Sequence, residues 1–532
     1  MKPDVYTGSP NPQVRADSLG GILPTLPDWL THGPKPAISQ LPWPVCSSQT
    51  TTNSTLAALT MGEFSRSLKQ AGICDLGIVP IPGATVLLPW GVALSEIIAT
   101  RIRTAYEAIE LDEYAYPHVV AESCFEPMAD LLDIERNLLR VATTIDTQSQ
   151  RERGILIPTG EQVIASHWKK MINTPDVMPI RMFQRARYFR PLSSADRSGK
   201  GVFSALEAAD IFEFHCCHRT PEAALLDLQR IDSSLIALSA SLPLPQIVGV
   251  RPPWGNRSEL YQWAIGSDTP LPSGECVQTS ALYFQGQELS RRYDIGFGKG
   301  EQRQHAWQLD GFISRRVLYA QLYLSARANG SLTVHPRLAP TQVVILVRSR
   351  HDDEKERMQE LASMLQAAGL RPVLRYCEES KALTAAQKHW RDRGVPLLLL
   401  FFGRRNANDS PRIRLLRTDK ELELDQPGNS SADWLTKQVT HAITDVENDV
   451  NYTIIHQARN QISFASSEAE ACQALSARQC VIAPICPTRA HTDKVASWKM
   501  GELCSFTAAP EPQPCILSGR PTWARALLSR RI

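Results

Sequence analysis

The stretch QRARYFRPL, residues 184 to 192, sets three arginines, Arg185, Arg187 and Arg190, among aromatics and then stops at a proline. On a strand, residues of equal parity share a face, so Arg185 and Arg187 point one way and Arg190 the other, and the three cannot grip one anion. Spacing alone is equally compatible with solvated charges on an exposed strand. A second cationic element is GFISRRVL, 311 to 318, where Ser314 and Arg315 are expected at the start of an amphipathic helix following a glycine, an arrangement suited to a phosphate. The third is LIPTGEQV, 156 to 163, in which Thr159 and Glu161 stand two apart. In a loop both side chains converge on an ammonium or imino group; the alternative is an ordinary turn into a helix capped by the threonine. None of the three is specific alone, and their order along the chain carries the information.

The elements that would position these residues follow from length and periodicity. A chain of 532 residues exceeds one ordinary core and implies three or four domains. With 57 Lys and Arg against 55 Asp and Glu, net charge gives no argument for a DNA or membrane partner, so any RNA contact must come from local patches. MKPDVYTGSPNPQ has no apolar core of a leader, and the run VPLLLLFF is far short of the roughly 20 residues that span a bilayer; a soluble, cytoplasmic protein is expected. The 12 cysteines are scattered, which argues for reduced thiols.

Residues 1–55 read as an irregular N-terminal extension. ALSEIIATRIRTAYEAI has helical spacing and is followed by the strand-like AYPHVVAES. Between 155 and 335, β-type segments (RMFQRARYF, QIVGV, ELYQWAI, RRYDIGF) mix with helix-like ones, giving an α+β catalytic-type domain over 56–340 with an antiparallel sheet. After Pro340, strands alternate with helices, so 341–445 form an α/β domain with a partly parallel sheet, and 446–532 a small C-terminal α/β domain.

Taken in order, these segments resemble a class II aminoacyl-tRNA synthetase and, within that class, the prolyl-tRNA synthetases of archaeal and eukaryotic type. EFSRSLKQAGICD and GATVLLPWGVALSEIIATRI resemble the approach to the family's first motif, with Pro117 where that motif ends; the resemblance implies a homodimer. IPTGEQV is similar to the proline-binding P-T-x-E loop. QRARYFR resembles the second motif, with Arg190 at the ATP α-phosphate. VQTSALYFQGQELSRRYDIGF is similar to the long segment in which Gln278 would contact the nucleotide, and WQLDGFISRRVL resembles the third motif, with Ser314 and Arg315 on ATP. HPRLAPTQVVILV and KHWRDRGVPLLLLFFGRR resemble the anticodon-binding domain, placing His389, Trp390, Arg404 and Arg405 toward RNA. Cys486, His491 and Cys515 resemble three of four zinc ligands, with Leu517 at the fourth place and Cys504 available to complete the set; the alternative is a metal-free domain with buried thiols.

The departures are equally specific. The second motif's R-x-E is here Arg190-Pro191-Leu192, and Glu207 stands where an arginine would reach the γ-phosphate, leaving Arg197 or Lys200 to substitute. Two such losses would weaken ATP by roughly 10² to 10⁴ without compensation. The family's W-x-E-G-H becomes Ile211-Phe212-Glu213-Phe214-His215, so Glu213 and His215 remain while an aromatic wall of the amino-acid pocket is gone, and Tyr283 and Phe284 replace its paired histidines. Two readings result. One is a ligase that activates proline or an analogue with ATP and Mg²⁺ and passes it to tRNA or another acceptor. The other is a catalytically degenerate paralogue that keeps the scaffold as a tRNA-binding or regulatory protein.

Overall fold

The computed structural model describes residues 59–76, 84–130, 138–146, 151–172, 174–191, 201–203, 207–252, 254, 260–406, 409–417, 421–427 and 431–531. The expected extension over 1–55, and Leu192, Arg197 and Lys200, lie outside them.

Helix α1 (Met61–Gln70) opens on a reciprocal cap between Thr60 and Glu63. Helix α2 (Pro89–Glu107) starts at a proline and repeats Leu94, Ile98, Ile102 and Tyr106 at four-residue spacing, a buried stripe. Strand β1 (Asp112–Tyr114), helix α3 (Glu161–Met171), strands β2 (Ile180–Phe189) and β3 (Glu207–His218) and helix α4 (Pro221–Ser241) follow. Next come β4 (Ile247–Val250), β5 (Trp263–Pro270), β6 (Glu275–Gly286), β7 (Trp307–Ser314) and helix α5 (Arg316–Ser325).

A second sheet is built from β8 (Val343–Arg348), β9 (Pro372–Tyr376), β10 (Leu397–Phe402), β11 (Arg412–Arg417) and β12 (Glu421–Pro427), with helices α6 (Asp352–Ala367) and α7 (Ser380–Asp392). β8 runs parallel to β9 and β10, and β11 antiparallel to β10, the partly parallel sheet expected. The long helix α8 (Ala432–Asn460) crosses the 445/446 border drawn from sequence. The C-terminal part adds β13 (Ile462–Phe464), helix α9 (Glu468–Ser476), β14 (Cys480–Pro484), helix α10 (Arg489–Ser497), β15 (Glu502–Pro514) and β16 (Pro521–Arg531).

The C-terminal strands do not form a sheet of their own. Among the described residues they extend the catalytic-type sheet to 11 strands, ordered β13-β14-β16-β15-β4-β5-β6-β7-β3-β2-β1. Its centre, β5-β6-β7-β3-β2, is antiparallel throughout. On one face α2, α4 and α5 bury Ile98, Leu228 and Leu318 against Phe183, Phe212, Phe214, Leu282 and Phe284. On the other, α3 buries Ile164 and Trp168 against Met182, Ala186, Tyr188 and Cys217.

Two local expectations are corrected. In RRYDIGF, Arg291–Tyr293 close a short helix, Glu288–Tyr293, because Leu289 and Tyr293 are buried at helical spacing and Arg292 pairs with Glu288 four residues earlier. In GFISRRVL, Ser314 ends β7 and the helix starts only at Arg316; α5 is buried all round rather than amphipathic, so its periodicity gave no sign of where the strand stopped.

One irregularity in the central sheet organises its charges. Between β2 and β3 the register slips from Ala186↔Ile211 to Tyr188↔Ala208, which places one extra residue on β3. Asp210 sits in that bulge with φ of 53°, a left-handed conformation that aspartate tolerates. Its carboxylate accepts from Arg185 at 2.7 Å, Arg315 at 3.0 Å and the Ser95 hydroxyl of α2 at 3.1 Å, and Arg185 also reaches Glu96 at 2.6 Å. Burial alone would raise the Asp210 pKa, but Arg315 and Arg185 hold it below the usual carboxylate range. Asp210→Ala strands two half-buried guanidiniums and is expected to cost about 2–3 kcal/mol in urea denaturation. Ser95→Ala, which removes one hydroxyl donor, is expected to cost about 1 kcal/mol; equal losses in the two variants would contradict this account.

Candidate active site

The face of the sheet under α3 carries the ionisable groups. Cross-strand pairing sets Gln184 opposite Glu213 and Met182 opposite His215. The Glu213 carboxylate accepts from Gln184 Nε2 at 3.3 Å and from the Tyr188 hydroxyl, and His215 Nε2 lies 3.1 Å away. Gly160, the residue that caps α3, rests directly on this cluster: a Cβ there would overlap the Glu213 carboxylate and crowd Gln184 and Tyr188, so only glycine fits. The flanking Thr159 is buried and its hydroxyl donates to Glu161, the first residue of α3. Thr159 and Glu161 thus meet each other at a turn-to-helix junction, with a glycine rather than a threonine at the cap.

Burial works against charge on both members of the Glu213–His215 pair, and their mutual attraction overrides it. Glu213 is held below its ordinary pKa by His215, Tyr188 and Gln184. His215 is lifted to about 9 by Glu213, with Asp310 and Glu161 adding to it. Asp310, opposite His215 on β7, is driven well above the carboxylate range by burial, with Glu161 and Glu213 opposing its ionisation further. Charge in the cluster is thus favoured on the Glu213–His215 pair and disfavoured on Asp310.

The two aromatic candidates of β6 separate. Tyr283 pairs with Asp310 and packs on Tyr261 at 5.2 Å, on the α3 side. Phe284 points the other way, fully buried in the α2/α4/α5 core and stacked on Trp263 and Trp307. Adjacent strand residues face opposite sides, so both could not line one pocket. Tryptophan 168 of α3, Trp168, completes the cluster edge-on to His215 at 6.3 Å.

The cations divide as well. Arg185 and Arg315 are bound to Asp210 on the α2 side, and Arg315 also lies over the Tyr319 ring at 5.8 Å. Arg190, just past the end of β2, is exposed and donates to the Pro158 carbonyl at 2.9 Å, beside Thr159. Its cationic neighbour is Arg316: burial, with Arg190 adding to it, pulls the Arg316 pKa down to about 10. Arg316 donates to the carbonyls of Phe203 at 3.2 Å and Gln278 at 3.4 Å. Gln278 is half-buried, and Ser314 is buried with a hydroxyl that has no partner among the described residues. The Glu207 side chain lies outside the description.

In the second sheet, Trp390 is not an open stacking surface: it packs edge-on against Trp90 of α2 at 6.2 Å, with Arg393 against both rings. Arg404 is engaged by Asp353 and Glu354 at 2.5 and 3.0 Å, while His389 and Arg405 are exposed. In the C-terminal part the ligand atoms of Cys486, His491 and Cys515 lie within 4.8 Å of one another. Burial raises the Cys515 pKa, but the Ser518 hydroxyl and the backbone N–H groups of Cys486, Leu517 and Ser518 more than offset it, favouring thiolate. Cys504 does not join them; it is buried with Ile247, Cys276 and Cys480.

Sequence reasoning missed Gln184, Tyr188, Asp310, Gln285 and Arg316. Gln184 and Tyr188 stand four apart on the same strand as the arginines and share the face opposite Arg185, a parity signal that was available. Arg316 was hidden by its neighbour, because two adjacent arginines do not announce which is turned to the site.

No family model matches the chain. Curated proteins do: it is 25% identical over 341 residues to the proline–tRNA ligase of Thermococcus kodakarensis, covering 63% of this chain and 69% of that one. With the proline–tRNA ligase of Metallosphaera sedula it shares 23% over 471 residues, 86% and 95% of the two chains. Among solved structures, the Giardia lamblia prolyl-tRNA synthetase in complex with prolyl-adenylate superposes with a TM-score of 0.77 at 20% identity, covering 90% of this chain and all of that one. The chain has the fold of a prolyl-tRNA synthetase and is similar in sequence to proline–tRNA ligases. No helix among the described residues is long and apolar enough to cross a membrane.

The Glu213–His215 pair has a pH signature. A histidine whose pKa rises from about 6.5 unfolded to about 9 folded contributes stability in full below pH 6.5 and loses it as pH climbs through 9. Wild-type stability in urea is expected to fall between pH 6.5 and 9, and His215→Gln to lack that part of the slope; an unchanged slope in the variant would show that His215 is neutral in the folded protein.

Proposed function

We propose that the chain activates a small amino acid with ATP as an aminoacyl-adenylate and transfers it to tRNA or another hydroxyl acceptor. The observation that carries this reading is the Thr159-Gly160-Glu161 junction seated on the Glu213–His215 pair, with Arg190 anchored to Pro158 next to it. Thr159 and Glu161 supply an acceptor-rich end for the amino or imino group, and the Arg190/Arg316 end supplies positive charge for phosphate. The carboxylate oxygen of the amino acid attacks the α-phosphorus, the bond to pyrophosphate breaks, and pyrophosphate leaves with the electron pair. Charge builds on the phosphate oxygens during that step, and guanidiniums held in place before it are the groups that stabilise it. Mg²⁺ would supply further positive charge on the leaving phosphates.

The two arginines of the third-motif segment divide the work in this reading. Arg315 positions, through Asp210, the bulge beside the site; Arg316, held by two carbonyls with Arg190 as its cationic neighbour, is the arginine that meets ATP. Gln278 and Ser314 border it. Exposed His389 and Arg405 remain as candidate RNA contacts, whereas Trp390 serves the seam between the two sheets and Arg404 an ion-pair network. The structural homodimer implied by the resemblance is retained as part of the proposal.

Two thiols and one imidazole within 4.8 Å fit Zn²⁺ in donor type, and the N–H groups at Leu517 and Ser518 would stabilise a metal-bound thiolate of Cys515. The ion would be structural, tying the loop after β14 to the turn between β15 and β16. Purified protein is expected to contain about one zinc per chain by elemental analysis, and Cys515→Ser to lose it and to unfold several degrees lower; a metal-free wild type of equal stability would reject the site.

Adenylation is tested by amino-acid-dependent exchange of labelled pyrophosphate into ATP. Arg316→Ala is expected to reduce exchange by at least about 10²-fold with little change in stability, since a transition-state charge contact is worth roughly 3 kcal/mol or more. Arg315→Ala is expected to lower stability and exchange together. Retained exchange in Arg316→Ala would return the phosphate role to Arg315. Absence of ATP binding in the wild type, with tRNA binding intact, would favour the degenerate-paralogue reading.

A further inference from the structure

Among the described residues, several buried polar atoms of the cluster have no hydrogen-bond partner. Asp310 is 3% exposed; its Oδ2 accepts from Gln285 Nε2 at 2.9 Å, and its Oδ1 has no partner. Gln285 is 5% exposed, and with its amide nitrogen turned to Asp310 its Oε1 is left without a partner as well. The buried Trp168 Nε1, whose ring stands edge-on to His215, is a third. Each such group costs about 1–3 kcal/mol when left unmet, so neighbouring orphans in a binding site mark the place of a ligand group or an ordered water.

Their chemistry specifies the ligand group. In the proposed function the amino acid's amino or imino group is taken by Thr159 and Glu161, and its carboxylate lies toward Arg190 and Arg316. Whatever meets Asp310 and Gln285 therefore belongs to the side chain. Proline offers only C–H there, and its ring would seal the unmet oxygens away from water. A hydroxyl answers both: its single proton goes to Gln285 Oε1, and its oxygen accepts from Asp310 when that carboxyl carries its proton on Oδ1.

We infer that this site selects an amino acid bearing a side-chain hydroxyl, such as a hydroxylated proline, over proline itself, with Asp310 and Gln285 as the residues that discriminate. The inference rests on the proposed amino-acid site. Burial, with Glu161 and Glu213 beside it, disfavours charge on Asp310, which suits a neutral hydroxyl better than an ammonium. A site built around a substrate hydroxyl discriminates strongly against the analogue lacking it, because the protein's own polar groups are then stranded.

Calorimetric titration of the full-length wild type without ATP, using L-proline, cis- and trans-4-hydroxyproline, L-serine and 4-aminoproline, tests this without requiring adenylation. At least one hydroxyl-bearing compound is expected to bind tenfold or more tighter than proline. Asp310→Ala and, independently, Gln285→Leu are expected to bring that ratio to within about twofold; if either variant fails to fold, the other and the wild-type ranking still decide. Proline binding as tightly as the hydroxylated compounds, or 4-aminoproline binding tightest, overturns the inference while leaving the amino-acid site in place. No binding by any compound overturns both.

Discussion

Asp210 occupies the one residue that β3 has in excess of β2, and the two-faced design of the sheet depends on it. Asp210 keeps the parity of Phe212 and Phe214, which face the α2 core, and its carboxylate lies where Arg185 and Arg315 converge on it; the extra residue of the bulge is accommodated by its left-handed backbone. Like charges at the join of β7 and α5 would repel; one shared anion makes them a bracket between strand, helix and bulge. With Arg315 tied down, the next residue, Arg316, leaves the backbone on a different side, near Arg190. Within a single dipeptide, one guanidinium is thus tied to Asp210 and the other to the carbonyls of Phe203 and Gln278.

The α3 face solves a different electrostatic problem. Three carboxyls, Glu161, Glu213 and Asp310, crowd one imidazole in a region largely closed to water. Burial opposes charge on the paired groups, and their mutual attraction favours it on Glu213, with Gln184, Tyr188 and His215 on its carboxylate, and on His215, while burial and the neighbouring carboxyls disfavour it on Asp310. Glu161 opens α3 with the Thr159 hydroxyl on its carboxylate. Gly160 makes the arrangement possible, because any side chain there would push α3 off the pair that it covers.

Much of the fold was legible, and the reasons are specific. The stripe of α2 and the apolar run of β10 show as periodicity and as β-branched or apolar blocks, and the change in texture after Pro340 marks the second sheet. The catalytic-type motifs kept their order even where single residues changed. What sequence could not supply was direction. Phe284 and Tyr283 are neighbours in sequence that face opposite sides of the sheet, Arg315 and Arg316 have different partners, and Trp390 is packed on Trp90 while His389 beside it is exposed. For the strand pair, parity alone sufficed to exclude a shared pocket. For the arginines and for Trp390 the decision was made by residues far along the chain, Asp210 and Trp90, and no local pattern contains that information. Cys504 was likewise a plausible ligand by composition, until the sheet placed it in a different core from His491.

The C-terminal part also needs to be understood differently from a domain appended by a linker. Helix α8 begins in the second sheet and ends at β13, and β15 and β16 continue the very sheet that carries the site. At the seam, Arg251 lies buried between β4 and β5, paired with Asp268 at 2.7 Å and donating to the Cys504 carbonyl of β15 at 2.7 Å. Gly266 leaves the room that this guanidinium needs. A buried ion pair of this kind adds little to net stability compared with apolar packing, but removing either partner strands the other, so it specifies one register of β15 against β4 and tolerates no neighbour. The path from the cysteine–histidine cluster to the active face is therefore a run of hydrogen-bonded strands, β14 to β16 to β15 to β4 to β5 to β6. Gln285 lies on the last of these. The C-terminal part is thus joined through backbone pairing to the strand that carries Tyr283 and Gln285, even though none of the side chains identified in the candidate site comes from it.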